Sequence, residues 1–418
     1  MTQEASREAG DPVAWWAVDT VLMRFVEDLI AGELKVLRPG AWSRMAAHPW
    51  APSLDIAQDL GADSLERLSV ATALAEAVHL AESGIQDYLL ARNTLYDWAA
   101  IAQTGLRNYS KCLTFRTSGS TGNPKACTHT LEALEQEIAE LAPHFHGCSR
   151  IVSAVPSHHI YGFLFTVLLP RQLGIAEVPI LNARASSPAS LQSALRAGDL
   201  VVGHPEFWRN VSRVGIRIPA GVKGVNSTGP LPQGVSGELI KMGLARLLEI
   251  YGSSETCGVG WRDEGMRGYR LLSYWMRSDS PGEALLRRLP DGGDGSYSLQ
   301  DHLEWLSADE FLPTGRIDQA VQVGGINVFP GRVREALLQH PLVGDAAVRL
   351  MRSDEGNRLK AFIVPKSGDV DLTALRTEIE QWAAERLSAP ETPRGLSFGS
   401  ALPRDASGKL ADWIMESR

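Results

Sequence analysis

The sequence has no long lysine or arginine run, and its formal net charge is −8. A nucleic-acid partner is therefore not expected, because gripping a phosphate backbone takes clustered cations. Cysteine is scarce: Cys112, Cys127, Cys148 and Cys257 are scattered, with no C-x-x-C pair. That excludes a disulfide framework and points to a reducing compartment. No apolar run reaches the roughly 20 residues of a membrane span. The first residues, "MTQEASREAGDP", hold no apolar signal core. These absences make a cytoplasmic protein without a membrane partner the expectation. Neither repeats nor extended low-complexity tracts are seen.

What is present is ordinary for a soluble globular chain, with 44% hydrophobic and 22% charged residues. A length of 418 residues exceeds one compact core, so two or three domains are expected. Residues 1–105 read as helices. "VDTVLMRFVEDLIAG" places Val18, Val21, Leu22, Phe25 and Leu29 on one stripe that stops at Gly32. "DSLERLSVATALAEAVHLAES" repeats the pattern through Leu65, Leu68, Ala71, Leu74, Ala75 and Val78. "TLYDWAAIAQTG" opens on Thr94 with Asp97 three residues on and closes at Gly105. From Lys111 to Ile317, short apolar strands ("RIVSAVP", "LVVGHP", "GVKGVNS") alternate with helical patterns, which implies a parallel-sheet α/β domain. After a Gly-rich break at Ile317–Gly325, residues 318–418 read as a small α+β domain.

One stretch, "TFRTSGSTGNPKACTHT", cannot build a core, but it offers hydroxyls, flexible backbone N–H groups and one cation, the parts that hold a polyphosphate. It is not a P-loop: Gly119 and Gly122 are only three apart, and Lys125 follows Pro124. On composition alone an exposed turn remains open. The string T-S-G-S-T-G-x-P-K, however, resembles the phosphate loop of the adenylate-forming superfamily, which includes acyl- and aryl-CoA synthetases. Further segments follow in that family's order: "VPSHHIYG", "NSTGPLP", "YGSSET", "GRIDQAVQVGGINVFPGRV" and "LPRDASGKL".

The resemblance implies roles for particular residues. Thr117, Ser118, Gly119, Ser120, Thr121, Gly122 and Lys125 would hold the departing pyrophosphate. Gly229, Tyr251, Gly252, Ser253 and Ser254 would complete the ATP site, with Tyr251 stacking on adenine. Glu255 would hold Mg²⁺. His159, Tyr161, Gly229 and Gly252 would line the acyl site. Asp301 and Arg316 would bind the ribose, Asp318 would be the hinge, and Gly325 would line the thiol tunnel. Lys409 would catalyse adenylation together with Lys125 and Glu255. Two departures stand out. The family's T-G-D clamp is "LQD" here, although Asp301 keeps the expected spacing, fifteen residues before Arg316. Arg332 and Arg334 stand where the family usually carries an acidic residue.

The implied chemistry has two halves. A carboxylate attacks the α-phosphorus of ATP to give acyl-AMP, and a thiol then attacks the acyl-AMP after the small domain rotates. No general base is required for the first half, since a carboxylate is already ionised at neutral pH.

The front end is short for this family. "LGADSLERL" resembles the attachment motif of acyl carrier proteins, with Ser64 as the phosphopantetheine site and Leu65, Leu68, Ala71, Leu74 and Val78 buried beneath it. The same residues also read as a plain helix cap by Asp63 or Ser64. His144, His146 and Cys148 in "HFHGC" read as a polar edge ahead of a metal site, and Trp15, Trp16 and Trp42 as packing. The resulting expectation is an α/β adenylate-forming ligase preceded by a carrier-like helical domain. It resembles bacterial aryl-acid:carrier-protein ligases, which implies a carboxylic acid substrate that is aromatic, such as a hydroxybenzoate. It would use ATP, Mg²⁺ and either phosphopantetheine or CoA, with an acyl carrier protein and a phosphopantetheinyl transferase as partners. A fatty acyl ligase and a non-catalytic binding module are the alternatives; retention of Lys125 and Lys409 disfavours the second.

Overall fold

The computed structural model describes residues 14–38, 49–117, 125–278, 284–317, 320–324, 326–352, 355–367, 371–404 and 410–414. The first apolar stripe folds as α1 (Asp19–Leu37), which buries Leu22, Phe25, Val26, Leu29, Ile30 and Leu34. The helix runs through Gly32 instead of ending there. A Cβ on Gly32 would stand 2.5 Å from His158 Nε2, so glycine serves close packing and not termination. The same correction holds for α3 (Leu95–Asn108), where buried Gly105 lies against Leu80. Its start is as expected: the Thr94 hydroxyl accepts from the Asp97 N–H at 3.1 Å.

Between them, α2 (Ser64–Ala77) begins with a full capping box. Asp63 accepts from the N–H groups of Leu65 and Glu66, and Glu66 reaches back to the Asp63 N–H. Its buried stripe starts at Val70 and includes Ala71, Leu74 and Val78. Leu65 and Leu68, expected inside, are 75% and 49% exposed. Nor do Glu66 and Arg67 point freely outward. Glu66 pairs with Arg38, and Arg67 donates to Leu90 O and Asn93 Oδ1.

These helices share one apolar core with the α/β part. Trp15 and Phe25 stand edge-on to Phe163, at 5.1 and 5.8 Å between ring centroids. Arg24 donates to Thr166 Oγ1 and O at 2.9 and 2.7 Å. The front segment is therefore helical, as expected, but it is built into the α/β part and does not form the free-standing globule that a carrier domain requires.

The α/β part opens with an antiparallel hairpin, β1 (Cys112–Thr117) and β2 (Lys125–Thr130), followed by α4 (Leu131–Leu141). A nine-stranded sheet follows. Its parallel section runs in the order β7 (Arg246–Ser253), β6 (Lys223–Asn226), β5 (Asp199–Gly203), β3 (Arg150–Ser153), β4 (Leu181–Asn182). Antiparallel strands β8 (Cys257–Arg262) and β9 (Tyr269–Leu271), then the hairpin Glu310–Arg316 and Asp301–Trp305, extend it beyond β7. The chain leaves β3 for the edge strand β4 and returns to β5 on the other side of β3. That reversal makes a crevice at the carboxyl ends of β3 and β5, where open α/β sheets bind ligands.

The small domain has a sheet of Val343–Leu350, Leu359–Pro365 and Gly395–Phe398. Alternation along the middle strand turns Leu359, Ala361 and Ile363 onto a core with Val333, Leu337, Leu375 and Ile379. The four cysteines are free thiols. No helix among the described residues is long and apolar enough to cross a membrane.

Candidate active site

Strand β1 ends at Thr117, and β2 begins at Lys125 directly opposite it. The hairpin thus closes the two ends of the Ser/Thr/Gly loop. Ser118, Gly119, Ser120, Thr121 and Gly122 lie outside the described residues. From the start of β2, Lys125 Nζ reaches Glu255 Oε1 at 2.8 Å. Burial pushes the Glu255 carboxyl up, but the Lys125 ammonium and hydrogen bonds from its own backbone and from Ser253 more than offset this. The group therefore sits below the usual carboxylate range.

Glu255 occupies the turn between β7 and β8. The Ser253 hydroxyl accepts from the N–H groups of Glu255 and Thr256 at 3.2 Å each, and the Ser253 N–H donates to Thr256 Oγ1 at 3.1 Å. Cys257 closes the turn at φ +60°, a left-handed conformation that costs a non-glycine residue energy. Gly252 is required by contact, since a Cβ there would collide with the Cys257 carbonyl.

What holds the strained turn is His129, which the sequence reading missed. Its Nε2–H donates to Ser254 O at 2.7 Å. A carbonyl can only accept, so the proton is on Nε2, and Nδ1 is left to accept from the Cys257 thiol at 3.3 Å. Burial depresses the imidazole pKa and raises that of the thiol, which keeps both groups in this neutral arrangement. The signal was strand alternation: Lys125, Cys127 and His129 share one face of β2.

Further along, the Tyr251 hydroxyl donates to Asp301 Oδ2 at 2.8 Å, and its ring stands 5.3 Å from Phe311. Asp301 pairs in register with Arg316 across the outer hairpin. Tyr251, Asp301 and Arg316, assigned from separate stretches, therefore meet at one place, and the "LQD" alignment is geometrically coherent. In the loop after β6, Thr228 has φ +74°, and buried Asn226 leaves Oδ1 without a partner. Gly229 lies beside Gln322 of the following domain; a Cβ there would be 3.2 Å from Gln322 Oε1.

The acyl segment follows β3. The Ser157 N–H and hydroxyl both donate to Asp28 Oδ2 at 2.7 Å, and Asp28 also pairs with Arg184 at 2.7 Å. Helix α1 thereby fixes the position of His158 and His159, whose rings are 4.2 Å apart. Burial lowers the pKa of His158 well below the usual imidazole range, and the packing around His159 lowers its pKa too, although that side chain keeps an exposed edge. His159 reaches solvent at the rim. Tyr161, expected beside it as a substrate contact, is instead buried. Its single phenolic proton is shared by Gly203 O and Val225 O, at 2.9 and 3.0 Å. It braces the ends of β5 and β6 and has no proton left for a substrate.

Asp318, Gly325 and Lys409 lie outside the described residues. Ser64 is exposed at the start of α2, far in sequence from every group named above. In the "HFHGC" segment, His144 Nδ1 accepts from Arg246 at 2.9 Å and the His146 carbonyl accepts from Lys223 at 2.8 Å, as a polar edge does.

A model of AMP-binding enzymes matches residues 96–274, and a model of their C-terminal domain matches residues 333–409. The 4-coumarate–CoA ligase of Halorhodospira halophila is 38% identical over 390 residues, 93% of this chain and 98% of that relative. The chain belongs to the AMP-binding enzyme family. Like its family, this AMP-binding enzyme is an ATP-dependent, AMP-forming acid–thiol ligase. A second 4-coumarate–CoA ligase, from Cereibacter sphaeroides, is 38% identical over 384 residues, 90% of this chain and 89% of its own. Two solved structures share the fold. The amide bond synthetase McbA from Marinactinospora thermotolerans has 16% identity and TM-score 0.59, covering 94% of this chain and 93% of its own. An o-succinylbenzoate CoA synthetase from Bacillus subtilis has 17% identity and TM-score 0.57, covering 78% and 72%. Because the first match spans 93% of the AMP-binding enzyme, it takes in most of the helical front. That front segment is thus shared in sequence with a relative of similar length, and neither packing nor comparison supports a separate carrier domain.

Proposed function

We propose that this enzyme activates an aromatic acid of the hydroxycinnamate type and passes the acyl group to CoA. The observation that carries the reading is the convergence of Lys125–Glu255 with Tyr251–Asp301–Arg316 around the end of β7. One cation and one carboxylate stand at the phosphate end, and an aromatic ring with a carboxylate–arginine pair stands at the nucleoside end. The choice of an aromatic acid rests on the two relatives named 4-coumarate–CoA ligases.

In the first step the substrate carboxylate attacks the α-phosphorus, and charge develops on the phosphoryl oxygens. A fixed donor aimed at such charge is worth about 3 kcal/mol. Lys125 and the N–H groups and hydroxyls of residues 117–122 hold the departing pyrophosphate, and Lys409 bridges the carboxylate and the α-phosphate. Glu255, ionised and half-buried, suits a hard cation. Among the described residues no group of three or more His, Cys, Asp or Glu converges. Mg²⁺ at Glu255 would take its remaining ligands from phosphate and water and would supply charge neutralisation there. Neutral His159 borders the acyl site without adding charge beside the carboxylate. In the second step rotation about Asp318 withdraws Lys409 and opens a path past Gly325 for the thiol.

CoA is preferred over a carrier arm on Ser64 because the helical front is fastened into the ligase core by Arg24, Asp28 and Trp15. The test is ATP–pyrophosphate exchange with 4-coumarate, 4-hydroxybenzoate, benzoate and a fatty acid, followed by thioester formation with CoA. Exchange strongest with 4-coumarate and a 4-coumaroyl-CoA product are expected. Exchange with the fatty acid alone, or thioester formation only on Ser64, would overturn the reading.

A further inference from the structure

The buried cation Lys360 takes no part in the site described above. It lies on the middle strand of the small-domain sheet, Leu359–Pro365, and its side chain is 0% exposed. Its neighbours Leu359 and Ala361 face the domain core, so Lys360 and Phe362 face the opposite side. That outer side is covered by the last described segment, residues 410–414.

The contacts are specific. An ammonium has three protons, and Lys360 has three acceptor groups: Glu355 Oε2 at 2.9 Å, Asp412 Oδ1 at 2.9 Å and Trp413 O at 2.7 Å. The Trp413 ring lies 5.2 Å from Nζ and edge-on to Phe362 at 5.7 Å. Arg349, the cross-strand partner of Lys360, donates to Leu410 O at 2.6 Å. Arg352 joins Glu355 to Asp412 at 3.0 and 3.4 Å. Residues 410–413 are thus gripped by three cations spaced along one sheet face. An antiparallel bridge between Arg404 and Leu410 joins the two ends of the segment 405–409.

We propose that Lys360 is a positioning residue for Lys409, acting by clamping residues 410–413 to the outer face of the small-domain sheet. The inference rests on the role given above to Lys409. A lysine on a long flexible stem must place its charge between the carboxylate and the α-phosphate, and misplacing a reacting group by about 1 Å costs on the order of 100-fold in rate. The residue that follows Lys409 is fixed by Arg349, and the next but two by Lys360, so the chain immediately beyond Lys409 is anchored to the sheet. The two carboxylates are held below their usual range, first of all by their hydrogen bonds to Lys360, so both are ionised at neutral pH.

The full-length chain is tested as Lys360→Met, Asp412→Asn and Lys409→Ala, with 4-coumarate as probe acid. ATP–pyrophosphate exchange reads adenylation, and CoA consumption from supplied 4-coumaroyl-AMP reads the second half-reaction. Thermal melting checks the fold. Lys360→Met is expected to lower the exchange kcat at least tenfold and Asp412→Asn several-fold. KM for ATP should be unchanged, and thioester formation should stay within about twofold. Asp412 is partly exposed, so its variant keeps the test open if Lys360→Met fails to fold. Wild-type exchange in a folded clamp variant, beside an inactive Lys409→Ala, overturns the clamp alone. Equal loss in both half-reactions overturns it in favour of a scaffold role. Normal exchange in Lys409→Ala overturns the reading of Lys409 and the clamp with it.

Discussion

His129 touches no substrate-facing atom, yet it fixes the peptide that precedes Glu255. His129→Leu keeps the bulk and leaves the buried Ser254 carbonyl unpaired, a loss worth about 1–3 kcal/mol. If that loss falls wholly on the adenylation barrier, the rate should drop roughly 5- to 150-fold. His129→Gln can place an N–H where Nε2 stands and should recover most of the rate. Exchange kinetics on the pair check this, and equal loss in both variants would remove the donor role. Behind the same turn, burial pushes the Glu137 carboxyl up to about 7 while it accepts from the Gly258 N–H at 2.9 Å. A carboxyl whose folded pKa is raised stabilises the fold fully below its unfolded pKa of about 4.5 and loses that contribution as pH rises to 7. Glu137→Gln should therefore gain up to about 3 kcal/mol on wild type between pH 5 and pH 8, which denaturant melts at the two pH values measure. The pairing of Asp301 with Arg316 was readable because a hairpin converts fixed sequence spacing into register. Glu137 was not, because a side chain bonded to a distant N–H leaves no local pattern; for His129 alternation along β2 marked the face it shares with Lys125 but not the distant carbonyl it binds.

Glycine misled the reading at the level of elements. Gly32 and Gly105 both follow an apolar stripe and mimic helix stops, but each lies inside a helix where another side chain needs the space. The sequence carries the stripe, not the neighbour that will press on it. Leu65 and Leu68 follow the same lesson: they lie in the first turns of α2, ahead of the buried stripe that starts at Val70. The consequence for α1 can be measured. Gly32→Ala drives a methyl to 2.5 Å from His158 Nε2, so either the helix or the acyl segment must shift, a strain of about 1–3 kcal/mol. KM for the acid should rise several-fold while KM for ATP stays near wild type, because the nucleotide groups sit on β7 and the outer hairpin. A matched rise in both constants would mean that the strain spreads through the whole sheet.

The order of elements was legible along the molecule, from front helices to the strand–helix alternation and then the small C-terminal α+β part. Whether the front helices stood apart was not legible, because an amphipathic stripe does not name the surface that covers it. With Trp15 and Phe25 seated on Phe163, removing residues 1–108 should expose that aromatic cluster and leave an insoluble or molten α/β part. Expression as a soluble fragment with cooperative melting would show that the helices are dispensable.

The same seating sets a timetable for synthesis. The bond from Arg24 to Thr166 spans 142 residues, and ribosomes add about 5–20 residues per second. The edge of α1 that meets Phe163 and Thr166 emerges on the order of ten seconds before that part of its cover exists, after α2 and α3 have already closed on the helix. During that interval the uncovered edge is open to chaperones and to neighbouring nascent chains. Slowing translation between α1 and the acyl segment should lower the soluble yield, even though the finished protein is unchanged.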